Sequence, residues 1–411
     1  MKKTYFILSL IFVIFVCCTN RLRNEEVVKT IVTEMQEDNP KILPGIYQTQ
    51  EYLPLLSDKK VAIVSNQTGI INNVHLADTL LSSGVDVVKV FCPEHGFRGT
   101  ADAGAKVDNT IDEKTGLPII SLYGKNKKPL PEQMQDFDIL VFDLQDVGVR
   151  FYTYISTLHY VMEACAEANI PVIVLDRPNP NAHYVDGWIL DTANCRSFIG
   201  MHPVPVVYGM TIGEYGQMIN GENWLDNGVK CDLTIIPCKN YTHNSKYSLP
   251  VKPSPNLPND RSIELYPSLC FFEATNLSLG RGTDKQFQII GHPLLENVEQ
   301  ANFEFTPMPN EGASNPVLNG KKCFGFDLSE SNSIFEIKEN QLNLDLILKT
   351  YELFPEKSEF FKKSNSIELL SGNGEFRKQV ESGVSEKEIR ESWHDGLESF
   401  KRIRDKYLIY E

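Results

Sequence analysis

The chain of 411 residues is 42% apolar and 23% charged, the balance of a soluble globular protein with room for two or three domains of about 150 residues. Its formal net charge of −14 excludes a nucleic-acid surface, because phosphate binding needs clustered lysine and arginine, and no basic run is present. No nucleic-acid partner is expected. At the amino terminus, Lys2 and Lys3 precede the apolar run Tyr5 to Val16, the charged and apolar regions of a secretory signal, too short for a permanent membrane span. The run ends at Cys17-Cys18-Thr19-Asn20, which resembles a bacterial lipoprotein processing site. Cleavage before Cys18 leaves the small Cys17 at the preceding position, so Cys18 is the expected lipidation site and a lipid anchor the expected link to a membrane. Residues 1–17 are read as the signal peptide and residues 18–43, polar and acidic, as a tether. The protein is thus expected in the cell envelope.

The next region, 44–258, reads as a Rossmann-like, mostly parallel α/β domain. Val61 to Val64 is a first buried strand leaving at Ser65-Asn66-Gln67, Val74 to Ser83 has helical spacing, and Val85 to Val90 is a second strand. Strand, helix, strand is the parallel βαβ unit. Further apolar runs follow at Leu117 to Ile120, Asp138 to Asp143 and Pro171 to Asp176, with a helical stretch from about Tyr154 to Asn169. Such near-continuous apolar strands belong to a sheet covered on both faces. The residues after each strand carry the chemistry: Asn66-Gln67, then Pro93-Glu94-His95-Gly96-Phe97-Arg98, then Asp143-Leu144-Gln145-Asp146 through Arg150, then Asp176-Arg177-Pro178-Asn179. Open α/β sheets bind ligands at the carboxyl ends of their strands. Four parallel strands ending in polar clusters are expected to gather carboxylates, amides and guanidinium groups at one rim. Single clusters are also what turns are made of, but turns do not require arginines beside carboxylates.

No Gly-x-Gly-x-x-Gly, Walker loop or Gly-x-Ser-x-Gly elbow occurs, so neither a nucleotide cofactor nor a serine nucleophile is called for. Cys92, Cys165, Cys195, Cys231, Cys238, Cys270 and Cys323 include no Cys-x-x-Cys pair and read as small core residues. Thr211 with Glu214 three positions on is a capping box for a helix to about Asn220, which makes Glu214 structural. Lys230 to Cys238 is another strand. The Pro-rich stretch Lys252 to Asn259 reads as a stiff hinge to a smaller α/β domain, 259–411. That part opens with the apolar run Leu269 to Phe272, ending in Glu273-Ala274-Thr275-Asn276, and continues with the Gly-flanked Arg281, suited to a ligand acid. Helices are expected near Leu342 to Tyr351, Ser385 to Glu391 and Trp393 to Tyr407.

With these motifs in view, the chain resembles the exo-β-N-acetylmuramidases of glycoside hydrolase family 171. The resemblance runs from about Gly45 to Tyr410 and rests on Pro93-Glu94-His95-Gly96-Phe97-Arg98-Gly99, Asp143 through Tyr154, Asp176-Arg177-Pro178-Asn179-Pro180, Ser254-Pro255-Asn256-Leu257-Pro258 and Phe272-Glu273-Ala274-Thr275-Asn276. Ala274 stands where the family usually has glycine. The resemblance implies a Rossmann-like domain joined to a smaller α/β domain with the active cleft between them. It also implies removal of N-acetylmuramic acid from the non-reducing end of peptidoglycan-derived saccharides, with Glu94 as catalytic acid and no cofactor.

Glycoside cleavage needs a protonated carboxyl group for the leaving oxygen and a second group for the oxocarbenium-like state. Glu94 is expected to be kept protonated by nearby Asp143, Asp146 and Glu273 and oriented by His95, while Asp143, Asp146, Glu273 or the sugar's own acetamido group fills the second role. A muramic lactyl carboxylate calls for cations, for which Arg150, Arg177 and Arg281 are candidates. Asn66, Gln145, Tyr152, Asn179, His202 and Asn256 complete the candidate substrate-binding set. Two other classes stay open at this stage: a metal-dependent phosphoester hydrolase using His95, Asp143, Asp146 and Asp176, and a non-catalytic muropeptide-binding lipoprotein.

Overall fold

The computed structural model describes residues 40–94, 96–98, 110–330 and 334–411. The signal region, the expected lipidation site Cys18, most of the tether and His95 lie outside the described residues.

Strand β1 (Lys60–Ser65) is the centre of the main sheet. Its side chains alternate between two cores: Val61 and Ile63 pack on one face, Ala62 and Val64 on the other. A strand that must bury both faces has to be apolar throughout, which is why the sequence shows a run here rather than an alternation. After β1 come a short hairpin, β2 (Ile70–Ile71) and β3 (Val74–His75), and helix α1 (Leu76–Ser82). The first two residues of the expected helix are therefore strand, because the His75 ring accepts from the Ala77 N–H at 3.2 Å and caps the helix there. β4 (Asp86–Cys92) returns parallel to β1, followed by β5 (Thr110–Ile111), β6 (Pro118–Ser121), β7 (Ile139–Asp143), α2 (Tyr154–Ala168), β8 (Val172–Leu175), α3 (Ile212–Gly221) and β9 (Leu233–Ile236).

The sheet order is β5-β6-β4-β1-β7-β8-β9, parallel except for the edge strand β5. The chain winds outward from β1 through β4 to β6, then crosses back and winds the other way through β7, β8 and β9. This is the doubly wound arrangement, with its switch point between β1 and β7. Thr211 and Glu214 form the expected capping box at α3.

The smaller part begins with α4 (Asp260–Leu269), capped by Asn259. It holds a three-stranded antiparallel sheet, β10 (Ile289–His292), β12 (Cys323–Asp327) and β11 (Phe303–Phe305) in that spatial order. Helices α5 (Asp345–Leu353), α6 (Ser366–Ser371), α7 (Phe376–Glu381), α8 (Glu386–Glu391) and α9 (His394–Arg404) follow. The apolar run at Leu269 is not a strand: it continues α4 as a single tight helical turn, Cys270–Ala274, buried except at Glu273. Residues Leu43–Glu411 form one compact unit. All seven cysteines among the described residues are buried and unpaired. No helix among the described residues is long and apolar enough to cross a membrane.

Candidate active site

β4 ends at Cys92, Pro93 stops the ladder, and Glu94 projects from the strand end into a cavity of about 750 Å³. That volume falls within the range of small-molecule sites. The neighbouring strand end supplies Tyr123, whose phenol is hydrogen-bonded to Glu94; burial, then the Glu94 charge, push its pKa upward. The Leu122 N–H donates to the Cys92 carbonyl at 2.8 Å, fixing the two strand ends side by side. Tyr154, at the first turn of α2, forms another wall, and its pKa is likewise raised, by burial first and the Glu94 charge among the lesser causes. Tyr152, Tyr266 and Phe287 continue the aromatic lining, with Tyr152 and Tyr266 centroids 6.1 Å apart and Tyr266 and Phe287 5.1 Å apart.

The far wall comes from the smaller part. Arg281 and Glu273 both line the cavity and are paired at 2.5 Å. A second cation, Lys127, reaches the cavity with its ammonium 4.2 Å from the Phe198 ring centroid. Asn256 enters from the Pro-rich stretch. This stretch is no free hinge: its Lys252 and Pro253 carbonyls accept from Gln67 Nε2 at 3.3 and 3.2 Å, and the Tyr152 hydroxyl donates to Pro253 O at 2.8 Å.

The cavity thus brings together Glu94, Tyr152, Asn256, Glu273 and Arg281 of the residues expected from the sequence. Asn66 stands behind it, donating from Nδ2 to the Tyr154 hydroxyl at 2.8 Å and so orienting that ring. The other candidates are committed elsewhere. Asp143, fully buried, accepts both N–H groups of Arg177 at 2.7 and 2.9 Å, so Arg177 is not offered to a ligand. This pair joins the ends of the neighbouring strands β7 and β8. Arg150 is fully buried and donates to the carbonyls of Trp188, Val204 and Leu370 at 2.8, 2.8 and 3.0 Å; it ties the strand-end loop to distant chain instead of meeting a carboxylate.

Asp146 accepts from the Gly148 N–H at 2.7 Å and from the Tyr208 hydroxyl. Gln145 straps the Asp146 and Pro178 carbonyls, and Asn179 donates to Met210 O. His202 sits between the Tyr215 hydroxyl and His159, 2.9 Å from each, stacked on Trp224, and burial holds its pKa well below the usual histidine range. The crowd of aspartates expected around Glu94 is therefore not assembled: Asp143 is turned into the rim onto Arg177, and Asp146 is held there through Oδ2 while its Oδ1 has no partner among the described residues. Asp176 is likewise engaged within the protein, accepting from Thr211 Oγ1, the Gly213 N–H and the Tyr410 hydroxyl at 2.7, 2.7 and 2.6 Å. Among the described residues, no three His, Cys, Asp or Glu side chains stand together as a metal site.

Tyr123 was within reach of the sequence, since it follows β6 as Glu94 follows β4. Lys127, Tyr266 and Phe287 carry no such signal.

Comparisons with known proteins match this geometry. The family model described as exo-β-N-acetylmuramidase NamZ, N-terminal, covers residues 61–261, and its C-terminal counterpart covers residues 264–410. The chain is 38% identical over 387 residues to the peptidoglycan β-N-acetylmuramidase NamZ of Bacillus subtilis (strain 168), spanning 90% of this chain and 92% of that protein. Two crystal structures of DUF1343 family proteins from Bacteroides fragilis NCTC 9343 superpose on it. One has a TM-score of 0.81 at 46% identity, covering 90% of this chain and 99% of that one. The other has a TM-score of 0.78 at 28% identity, covering 90% and 100%. With both family models matched end to end across the sheet, the cavity and the smaller part, the chain belongs to the exo-β-N-acetylmuramidase NamZ family of glycoside hydrolases.

Proposed function

We propose that this protein releases N-acetylmuramic acid from the non-reducing end of peptidoglycan fragments, with Glu94 as the general acid. The observation that carries the reading is the placement of Glu94: a carboxyl group at a strand end, hydrogen-bonded to a phenol, inside a sugar-sized cavity whose other charged groups among the described residues are Lys127, Arg281 and Glu273. Protonation of the glycosidic oxygen by Glu94 lets the sugar–oxygen bond break toward an oxocarbenium-like state. Among Asp143, Asp146 and Glu273, only Glu273 lines the cavity, so among the described residues it, with the substrate's own acetamido oxygen, is in reach for the second role. The aromatic walls offer flat apolar surface to sugar ring faces. Arg281 and Lys127 offer positive charge to the lactyl carboxylate.

The test is incubation with a chromogenic β-N-acetylmuraminide and its N-acetylglucosaminide counterpart. Release from the first alone is expected, and Glu94→Gln should lower kcat by roughly 10²- to 10⁴-fold while leaving binding of the released sugar in place. Equal release from both substrates, or a fully active Glu94→Gln, defeats the reading.

The Lys2-Lys3 and apolar run before Cys17-Cys18 further support an exported protein held at the cell envelope through acylated Cys18. Cells grown with labelled palmitate should label the wild type and leave Cys18→Ser unlabelled and released from membranes. Label retained by Cys18→Ser would refute this anchor.

A further inference from the structure

Asn256 is 1% exposed, yet its side chain lines the cavity. Its two amide ends are not equivalent. Nδ2 donates to the Gly312 carbonyl at 2.9 Å, whereas Oδ1 is buried with no hydrogen-bond partner among the described residues. Both sides of the Nδ2 bond are fixed. On one side, the Asn256 N–H donates to Ser254 Oγ at 3.3 Å and the Leu257 N–H to Ser254 O at 3.0 Å, closing a turn around the residue. On the other, Gly312 has φ of +83° and sits so close that a Cβ there would lie 2.3 Å from Pro255 Cβ. The amide therefore cannot turn over without losing its own bond, and the group it leaves unpaired, on a residue of the cavity wall, is an acceptor. A buried amide oxygen left unpaired costs as much as a lost hydrogen bond, so the site is built to be completed by a donor from the ligand.

We propose that Asn256 sets specificity for a 2-acetamido sugar by accepting a hydrogen bond from the substrate's acetamido N–H. The inference rests on reading the cavity as a glycoside site. A sugar hydroxyl both donates and accepts, whereas an amide N–H only donates and so matches a lone acceptor. The hydroxyl of Tyr152, another wall residue, is already committed to Pro253 O. The acetyl methyl that accompanies the N–H needs apolar contact, and Leu257, Tyr266 and Phe287 line the same cavity. Asn256 is here a specificity-determining residue that touches substrate away from the bond being cut.

The experiment is a cycle of two enzymes and two substrates: wild type and Asn256→Leu, each with the chromogenic β-N-acetylmuraminide and with its N-methylacetamido analogue, which lacks the N–H. On the parent substrate, Asn256→Leu should lose on the order of 10- to 100-fold in kcat/KM. On the N-methyl analogue, wild type and variant should agree within about threefold, since the bond under test is already gone. Equal losses on both substrates would assign Asn256 to holding its loop or to a hydroxyl, and would overturn the proposal; so would no loss on either. Should Asn256→Leu unfold, Asn256→Ala is read by the same ratios. Failure of the wild type to cleave the parent glycoside at all would instead remove the glycosidase reading, and this inference with it.

Discussion

Arg150 and Arg281 are both arginines beside loops rich in glycine and carboxylate, and the structure gives them opposite work. Arg150 spends its guanidinium on three carbonyls, Arg281 faces the cavity. The difference is burial, which depends on what the distant Leu370 segment does, and no local pattern around residue 150 encodes that. The aspartates of the rim were misassigned for a similar reason. Burial pushes the Asp146 carboxyl from its ordinary 3.8 up to about 6, against hydrogen bonds from Tyr208 and the backbone N–H groups of Gly148 and Val147. An acid whose pKa is raised on folding binds its proton more tightly in the folded state. Its contribution to stability is then fully present below 3.8 and lost as pH rises through about 6. Asp146→Asn removes that titration and keeps an acceptor for Gly148 and Tyr208. Urea unfolding across pH should therefore show the wild type gaining on Asp146→Asn as pH falls from about 6 toward 3.8, whereas a gap constant with pH would contradict the raised value.

The elements of the main sheet were legible because two-sided burial forces apolar β-branched runs, and the α3 capping box because Thr211 and Glu214 bond only at that spacing. The Leu269 run was less so. Strand and buried helical turn look alike over four apolar residues, and the preceding α4, capped by Asn259, decides between them. The last residues close back onto α3 and the chain after β9. The Ile409 and Tyr410 N–H groups donate to Glu214 Oε1 at 2.8 and 3.2 Å, the Tyr410 hydroxyl accepts from the Cys238 N–H at 2.7 Å, and the His243 N–H donates to Glu411 O at 2.9 Å. Arg404 secures the approach through Gly209 O, at 2.8 and 2.6 Å. Deleting residues 408–411 strips buried Asp176 and Glu214 of donors and should cost roughly 3–5 kcal/mol. Tyr410→Phe, losing one hydroxyl, should cost about 1–3 kcal/mol. Denaturant melts read both, and a deletion as stable as full length would show the tail to be merely laid on the surface.

Across the molecule, a mostly parallel α/β sheet with polar clusters after its strands could be read from the sequence, whereas the order of its strands comes from the fold. Which strand end opens into the cavity likewise could not be read. The polar clusters after β7 and β8 are consumed in holding the sheet to the chain around it, and the cavity forms where Glu94 and Tyr123 meet Tyr152, Tyr154 and residues carried in from beyond residue 250. The smaller part supplies Tyr266, Glu273, Arg281 and Phe287, none of which the sheet can recruit by itself. The bonds that fasten these pieces span great lengths of chain: 220 residues from Arg150 to Leu370 and 234 from Asp176 to Tyr410. Contacts so remote in sequence close late. A ribosome must finish the polypeptide before the rim of its first domain can lock. Until then the carboxylate of Asp176 lacks the hydroxyl that closes it from the far end of the chain.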